Sequence, residues 1–316
     1  MTAATDPTRS APTDDVLKPS LRARVTDGNL GGYVLIAPAI IVLAALTIWP
    51  LIFSVVVSFT DYHGGGAAQN EVSFVGLENF QAVLEDPFFQ AGVWNTGKIF
   101  LIAIPAQLVL GYLCARIFIA VTGMIGSRVF RTLFIVPTMM SAIAIALFSR
   151  YILDPVLGVG NQITDLVGLP PLLFYADVQQ AFWTVIVVYL WEWVPFTSML
   201  LMAGLMTIPR EIYEAAAIDG SKWYQRIRYI DVPLMKRVII IAAILASVEV
   251  IRLFDLVYGT TQGGPGTSTY TVTLSLFRIG FQDFETARAA AGSLMVLVLT
   301  IFIAQAFVRV MKEEKR

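Results

Sequence analysis

The stretch EAAAIDGSKWYQRIRYIDVP, Glu214 to Pro233, separates two long apolar runs. It is alanine-rich, then broken by a glycine, then basic and aromatic. Pro209 suits the first turn of a helix, where its missing N–H is unpaired in any case. Glu211 and Glu214 favour the positive end of that helix. Ala215, Ala216 and Ala217 are strong helix formers with almost no bulk. Gly220 can take the left-handed conformation that ends such a helix, and Ser221 can cap a second short helix through Arg228. Pro233 then starts the run into the next apolar segment. The loop over 207–237 therefore reads as helix, sharp turn, helix, with an alanine face that lets another surface come close. The plainer alternative is an amphipathic basic linker, since positive charge gathers in cytosolic loops by default.

The surroundings decide where such a loop sits. Of 316 residues, 57% are hydrophobic and only 14% are charged, whereas a soluble domain carries about 25% charged residues. That composition points to an integral, multi-pass membrane protein. A spanning helix needs about 20 mostly apolar residues, and six stretches meet or approach that length. They run from Gly32 to Thr60, Ile99 to Ala115 (to Ala120 if Arg116 snorkels), Thr132 to Ser149, Ala181 to Met206, Val238 to Tyr258 and Ala289 to Val308. The expected fold class is all-α with six transmembrane helices. Residues 1–31 are polar and lack the short apolar core of a signal peptide, so a disordered cytosolic tail is expected there. The membrane domain is expected over 32–310, followed by a short cytosolic tail over 311–316.

Lys and Arg in the flanks set the orientation. With the N-terminus in the cytosol, the inside segments hold 17 basic residues and the outside segments only Lys98, Arg150, Arg278 and Arg288. Both termini and the 207–237 loop are therefore expected in the cytosol. Net charge is −1, which gives no global case for nucleic-acid binding. The lone Cys114 excludes an internal disulfide. The lone His63, in a glycine-rich loop, has no cysteine or second histidine beside it, which argues against a metal site.

Four charged residues interrupt the apolar spans. They are Glu192, in the sequence WEWVPF (Trp191–Phe196), and Glu249, Arg252 and Asp255. A charge near the bilayer centre costs a few kcal/mol, so such residues face a bundle interior or a wet cavity and are functional candidates. Glu249, Arg252 and Asp255 are three residues apart and fall on one helical stripe about 120° wide, where Arg252 can pair with either acid. Trp193 and Phe196 place aromatic faces beside Glu192. That combination suits a sugar, which presents apolar C–H faces and hydroxyls. An ion-pair network that merely holds the two helices together is the competing reading.

The 214–233 stretch resembles the EAA motif of bacterial binding-protein-dependent ABC importer permeases: E-A-A, three residues, G, nine residues, I-x-L-P. Glu214, Ala215, Ala216, Gly220, Ile230 and Pro233 fall at that spacing, and only the leucine departs, as Val232. FVGLENFQAVLEDPFFQAGVWNT (Phe74–Thr96), FDLVYGTTQGGP (Phe254–Pro265) and SFTDY (Ser58–Tyr62) are similar to segments of the sugar branch, the maltose and glycerol-phosphate type. Near the sixth span, ARAAAGS departs from the family's small-residue pattern, with Arg288 intruding.

The resemblance implies a type I ABC importer permease fold in the cytoplasmic (inner) membrane. It implies a coupling role for Glu214, Ala215, Ala216, Asp219, Gly220, Ile230 and Pro233, with Glu214–Gly220 docking on a cytosolic ATPase. It implies a substrate pathway that includes Glu192, Trp193, Phe196, Glu249, Arg252 and Asp255. The implied partners are a second related permease chain, an ATPase dimer that binds ATP and Mg, and an extracytoplasmic substrate-binding protein. The implied cargo is a sugar, oligosaccharide or polyol, with glycerol-phosphate or another small anion as the alternative.

No G-x-x-x-x-G-K-[ST] phosphate loop occurs in the sequence, so ATP hydrolysis is expected in a partner and not in this chain. The rival class is an ion-coupled secondary transporter using the intramembrane acids Glu192, Glu249 and Asp255 as proton carriers, which does not need the 214–233 loop. An intramembrane enzyme finds no Ser/His/Asp constellation or metal cluster in the sequence.

Overall fold

The computed structural model describes residues 29–64, 72–166, 168 and 170–312. Among them the chain is built of helices, with one isolated antiparallel bridge between Thr60 and Phe74. Two compact units are distinguished, residues 1–53 and 54–316. The described part of the first is residues 29–53 of helix α1 (Asn29–Val57), which contains Pro38 and Pro50. Most of its described side chains are exposed, among them Leu35, Ile41, Leu46 and Trp49. A long apolar helix with an exposed surface is what a bilayer accommodates. The expected tail lies outside the described residues up to position 28, and α1 already begins at Asn29.

In the second unit, α2 (Glu78–Glu85) leads into α3 (Pro87–Ala120). Asp86 caps α3: its Oδ1 accepts from the Phe89 N–H at 2.9 Å, and Pro87 follows as the first helical residue. The second expected span therefore starts twelve residues before Ile99. The capping pair Asp86–Pro87 nucleates helix at a polar sequence that hydropathy alone leaves outside. At 1.5 Å per residue the 34 residues run about 51 Å, well beyond the bilayer core.

The third expected span, Thr132–Ser149, is not one helix. It is α4 (Ser127–Met139) and α5 (Ala142–Ile152), bent by 103° across extended backbone at Met140 and Ser141. Helix α6 (Val159–Leu166) and the loop after it lead to α7 (Val178–Met206). Asp177 caps α7 by accepting from the N–H groups of Gln179 and Gln180 at 3.1 and 2.9 Å.

After α7 come α8 (Arg210–Ile218), α9 (Trp223–Arg226), a single π turn (Ile227–Asp231) and α10 (Val232–Ile251). The fifth expected span, Val238–Tyr258, is broken. Helix α10 stops at Ile251, Arg252 is its C-cap, and α11 (Asp255–Thr260) starts afresh. Such a break exposes carbonyls, and a bilayer tolerates that only if other groups satisfy them. Here Thr273 Oγ1 donates to the Ile251 carbonyl and Thr271 Oγ1 to the Leu253 carbonyl, both at 2.8 Å. Those threonines open α12 (Val272–Phe277), which passes through a π turn (Arg278–Gln282) before α13 (Thr286–Lys312). Arg288, the residue that departs from the family pattern, pairs with Glu285 and donates to the Ala82 carbonyl, tying the start of α13 to α2.

Helices α3 and α7 form the central pair. They approach closely at Gly111, where an added Cβ would lie 2.8 Å from the Thr197 methyl. Small residues at helix crossings let membrane helices pack by dispersion alone. Beside this crossing, buried Gln107 donates to Thr197 at 2.7 Å and accepts from Tyr189 at 3.0 Å. The core around them contains Ile99, Ala103, Ile145, Val185, Val250 and Leu256. The two broken elements also pack on one another. An added Cβ at Gly259 of α11 would meet the Ala146 Cβ of α5 at 2.6 Å.

Among the described residues, four helices are long and apolar enough to cross a membrane: Leu35–Val57, Pro87–Ala120, Val178–Met206 and Thr286–Met311. The bent α4–α5 pair makes a fifth if it counts as one span.

Candidate functional site

The loop joining α7 to α10 is built around Gly220. Helix α8 is preceded by Pro209 at its N-cap, one residue earlier than the first-turn position expected for it. At its other end Gly220 adopts φ +71°. The Gly220 N–H bonds the Ala217 carbonyl at 3.1 Å and the Ser221 N–H bonds the Ala216 carbonyl at 2.9 Å. This pair of bonds is the Schellman termination, which a glycine in the left-handed region permits at no steric cost.

The second half of the loop departs from expectation. The residue before α9 is Lys222, not Ser221; the Lys222 N–H is satisfied by Gln225 Oε1 at 2.7 Å. Ser221 instead accepts from Arg226 Nε at 3.0 Å. The helix does not end at Arg228 but widens into the π turn and continues as α10. A continuous α-helix would ask Pro233 for an N–H it lacks, and the wider turn immediately ahead of it absorbs that loss.

Glu214, Ala215, Ala217, Asp219 and Gly220 are exposed, and Ala216 is half-buried. Large apolar side chains share this surface: Ile218 is 88% exposed and Trp223 73%. Ile230 turns the other way and packs on an inner cluster with Ala115, Leu201, Leu205 and Met235. Pro233 is exposed.

The residue that fastens this loop to the membrane helices is Asp231, which the sequence reading passes over as the variable position between Ile230 and Val232. It is completely buried. Tyr213 of α8 donates to its Oδ1 at 2.6 Å, Tyr112 of α3 donates to its Oδ2, and Arg116 of α3 lies 3.6 Å from Oδ2. The Arg116 guanidinium also stands 5.5 Å from the centre of the Tyr213 ring. Burial, reinforced by the hydrogen bond to Asp231 and by its negative charge, pushes the Tyr213 phenol up to about 12. The phenol therefore stays protonated as the donor. Three elements, α3, α8 and the π turn, meet on one carboxylate. A charged residue close to a proline is the available signal in sequence, but its partner Tyr112 lies 119 residues away.

The intramembrane charges fall into two groups. Glu192, half-way along α7, is 5% exposed and lies within electrostatic reach of Glu249 and Asp255. Trp193 packs against the central core and meets Phe196 edge-on at 6.2 Å, with Phe196 41% exposed. The proposed Glu249–Arg252–Asp255 stripe does not form, because the helix ends between its members. Arg252 and Asp255 are exposed, and Arg252 makes no ion pair among the described residues. Beside the break, Phe254, Tyr258 and Phe277 form an aromatic cluster, with ring centres 5.0 to 5.4 Å apart. The cluster follows from the chain folding back at Arg252, which the sequence does not announce.

Residues 107–312 match the family model described as the binding-protein-dependent transport system inner membrane component. The chain is 30% identical over 273 residues to the trehalose/maltose transport system permease protein MalF of Thermococcus litoralis, covering 86% of this chain and 91% of that protein. It is 28% identical to the lactose transport system permease protein LacF of Rhizobium radiobacter, covering 87% and 91% of the two chains. Its fold matches the crystal structure of a bacterial ABC transporter involved in the import of the acidic polysaccharide alginate, with a TM-score of 0.78 at 19% identity over 90% of this chain and 96% of that one. The chain thus belongs to the inner membrane components of binding-protein-dependent transport systems, as a multi-pass permease with the type I ABC importer fold.

Proposed function

We propose that this permease carries a neutral saccharide across the cytoplasmic membrane, driven by a separate ATPase that grips α8. The supporting observation is the exposed face of the loop, where Glu214, Ala215, Ala217 and Asp219 lie beside Ile218 and Trp223. Large apolar side chains in a polar segment mark a surface that a partner covers. Docking on the partner's ATP-driven closure would pull α8. Its Tyr213–Asp231 bond would pass the motion to α3 and α10, rocking the bundle between inward- and outward-open states. The ATPase binds the ATP and Mg. A second related permease chain completes the pathway, and a substrate-binding protein delivers cargo from outside. Six crossings with both termini in the cytosol give this loop its position.

The saccharide reading rests on the names of the relatives and on the chemistry around Glu192. Glu192 lies within electrostatic reach of two further carboxylates, Glu249 and Asp255, with Arg252 as the cation on the same stretch. A phosphate ester would meet net repulsion there, whereas hydroxyl groups donate to carboxylates and C–H faces stack on Trp193 and Phe196. This disfavours glycerol-phosphate as cargo. The deciding experiment measures binding of the partner substrate-binding protein to a panel of sugars, polyols and phosphate esters, followed by uptake of the tightest ligand into vesicles. Uptake that proceeds without ATP, driven by an ion gradient, would replace this reading with a secondary transporter.

A further inference from the structure

A groove of about 490 Å³ opens beside α8. Its rim carries Arg116 of α3, Arg131 of α4, and Arg210 and Arg226 of the loop, while Met202 and Leu205 of α7 line its wall. Among the described residues no carboxylate lines it. Among them the acid paired with the rim is Asp231, which is fully buried behind it and already holds two phenols.

Two rim arginines are held in place by neutral groups. Arg131 donates to the Phe118 carbonyl at 2.6 Å and to Thr122 Oγ1, while its Nε is buried without a hydrogen-bond partner. Arg226 is anchored on Ser221 at 3.0 Å. Four arginines thus line one concavity against a single carboxylate among the described residues, although like charges in a confined space repel. An anion resolves that imbalance, and guanidinium groups bind phosphate oxygens in a bidentate fashion.

We propose that this groove binds the phosphate headgroup of an anionic phospholipid. The choice of a lipid over a free anion comes from the wall. Met202 and Leu205 belong to α7, one of the helices long and apolar enough to span the bilayer. Met206, the last residue of α7, also lines the groove and is 70% exposed; a headgroup on the arginines leaves its acyl chains beside Met202 and Met206, whereas a free phosphate satisfies the rim and leaves that apolar side chain wet. Basic pockets between membrane helices are suited to such headgroups. The site lies against the Tyr213–Asp231 junction, so an occupied groove braces α8 against α3 and α4.

The test uses the full chain in detergent, with bound lipid counted by native mass spectrometry. The probes are phosphatidylglycerol, phosphatidylcholine with the same acyl chains, and inorganic phosphate. Phosphatidylglycerol should bind about tenfold more tightly than phosphatidylcholine, and Arg210→Gln with Arg131→Gln should remove most of that preference. Arg210→Gln alone, at an exposed position, should weaken it while folding normally, and Arg210→Lys should keep part of it. Equal retention of the two lipids by the unaltered chain, or an undiminished preference in the double variant, overturns the proposal. So does displacement by inorganic phosphate alone, which would make this a free-anion site. Expulsion of the lipid when the partner ATPase is added would likewise overturn it, reassigning the groove as a protein-docking surface.

Discussion

Tyr213 reaches from α8 to the buried carboxylate of Asp231 and donates to it at 2.6 Å. The bond joins the exposed helix of the loop to the turn that begins α10. Tyr112 and Arg116 hold the same carboxylate from α3. Motion of α8 therefore cannot leave α3 and α10 behind unless this junction breaks.

Replacing Tyr213 with Phe removes one donor to a buried anion, which costs about 1.5–3 kcal/mol. The expected result in reconstituted vesicles is ATP hydrolysis that persists while uptake falls several-fold. Asp231→Ala is more severe, because the Tyr112 and Tyr213 phenols both lose their acceptor, at about 1–3 kcal/mol for each polar group left unsatisfied; reduced yield of folded protein is expected. Coupled uptake equal to the unaltered protein in Tyr213→Phe would remove the junction from the transmission path.

The same bond carries a pH signature. The Tyr213 phenol is raised from its ordinary 10 to about 12 by burial and by Asp231. The folded state then holds a proton that the unfolded state releases, so the contribution is complete below about pH 10 and is lost as pH rises toward 12. Thermal unfolding of the detergent-solubilised chain across that window should show the stability gap between the unaltered protein and Tyr213→Phe closing. A gap that stays constant would contradict the assignment.

Gly220 has nothing within 4 Å of an added Cβ, so its constraint is conformational, set by φ +71°. Gly220→Val should cost about 1–2 kcal/mol in local turn stability, and Gly220→Asn clearly less, since Asn tolerates that region. Membrane insertion should be unaffected in both. Uptake and co-purification of the ATPase should fall in the order Gly, Asn, Val; an equal effect of Asn and Val would point to the surface rather than the turn.

Glu192→Ala should impair uptake by at least about tenfold if the carboxylate meets the substrate, a loss of about 1.4 kcal/mol, while assembly with partner subunits survives. Glu192→Gln, which keeps the shape, separates charge from packing. Normal transport across a sugar panel in both variants would leave Glu192 with a packing role.

The broken fifth span makes a stability prediction. Thr271→Val and Thr273→Val each leave a buried carbonyl without its donor, at about 1–3 kcal/mol apiece. A clear drop in the melting temperature of the solubilised protein is expected from the pair, with Ser at either position restoring much of it.

Much of this protein was settled by residue order. Apolar runs separated by basic loops dictate a membrane bundle, because an unpaired backbone in lipid leaves helices as the spanning solution. Local chemistry also determined the end of α8, since Gly220 and its neighbours make their bonds within five residues. The tertiary structure decided what depends on distant partners. Span five breaks at Arg252 because threonines about twenty residues on accept the role of capping its carbonyls. Span three bends where α5 finds α11 across Gly259. Asp231 is a junction because Tyr112, 119 residues earlier, ends beside it. Hydropathy and spacing report what a segment can do with its neighbours in the chain. They carry no information on which far group will satisfy a freed carbonyl or a buried charge, and those groups are what join the loop to the bundle.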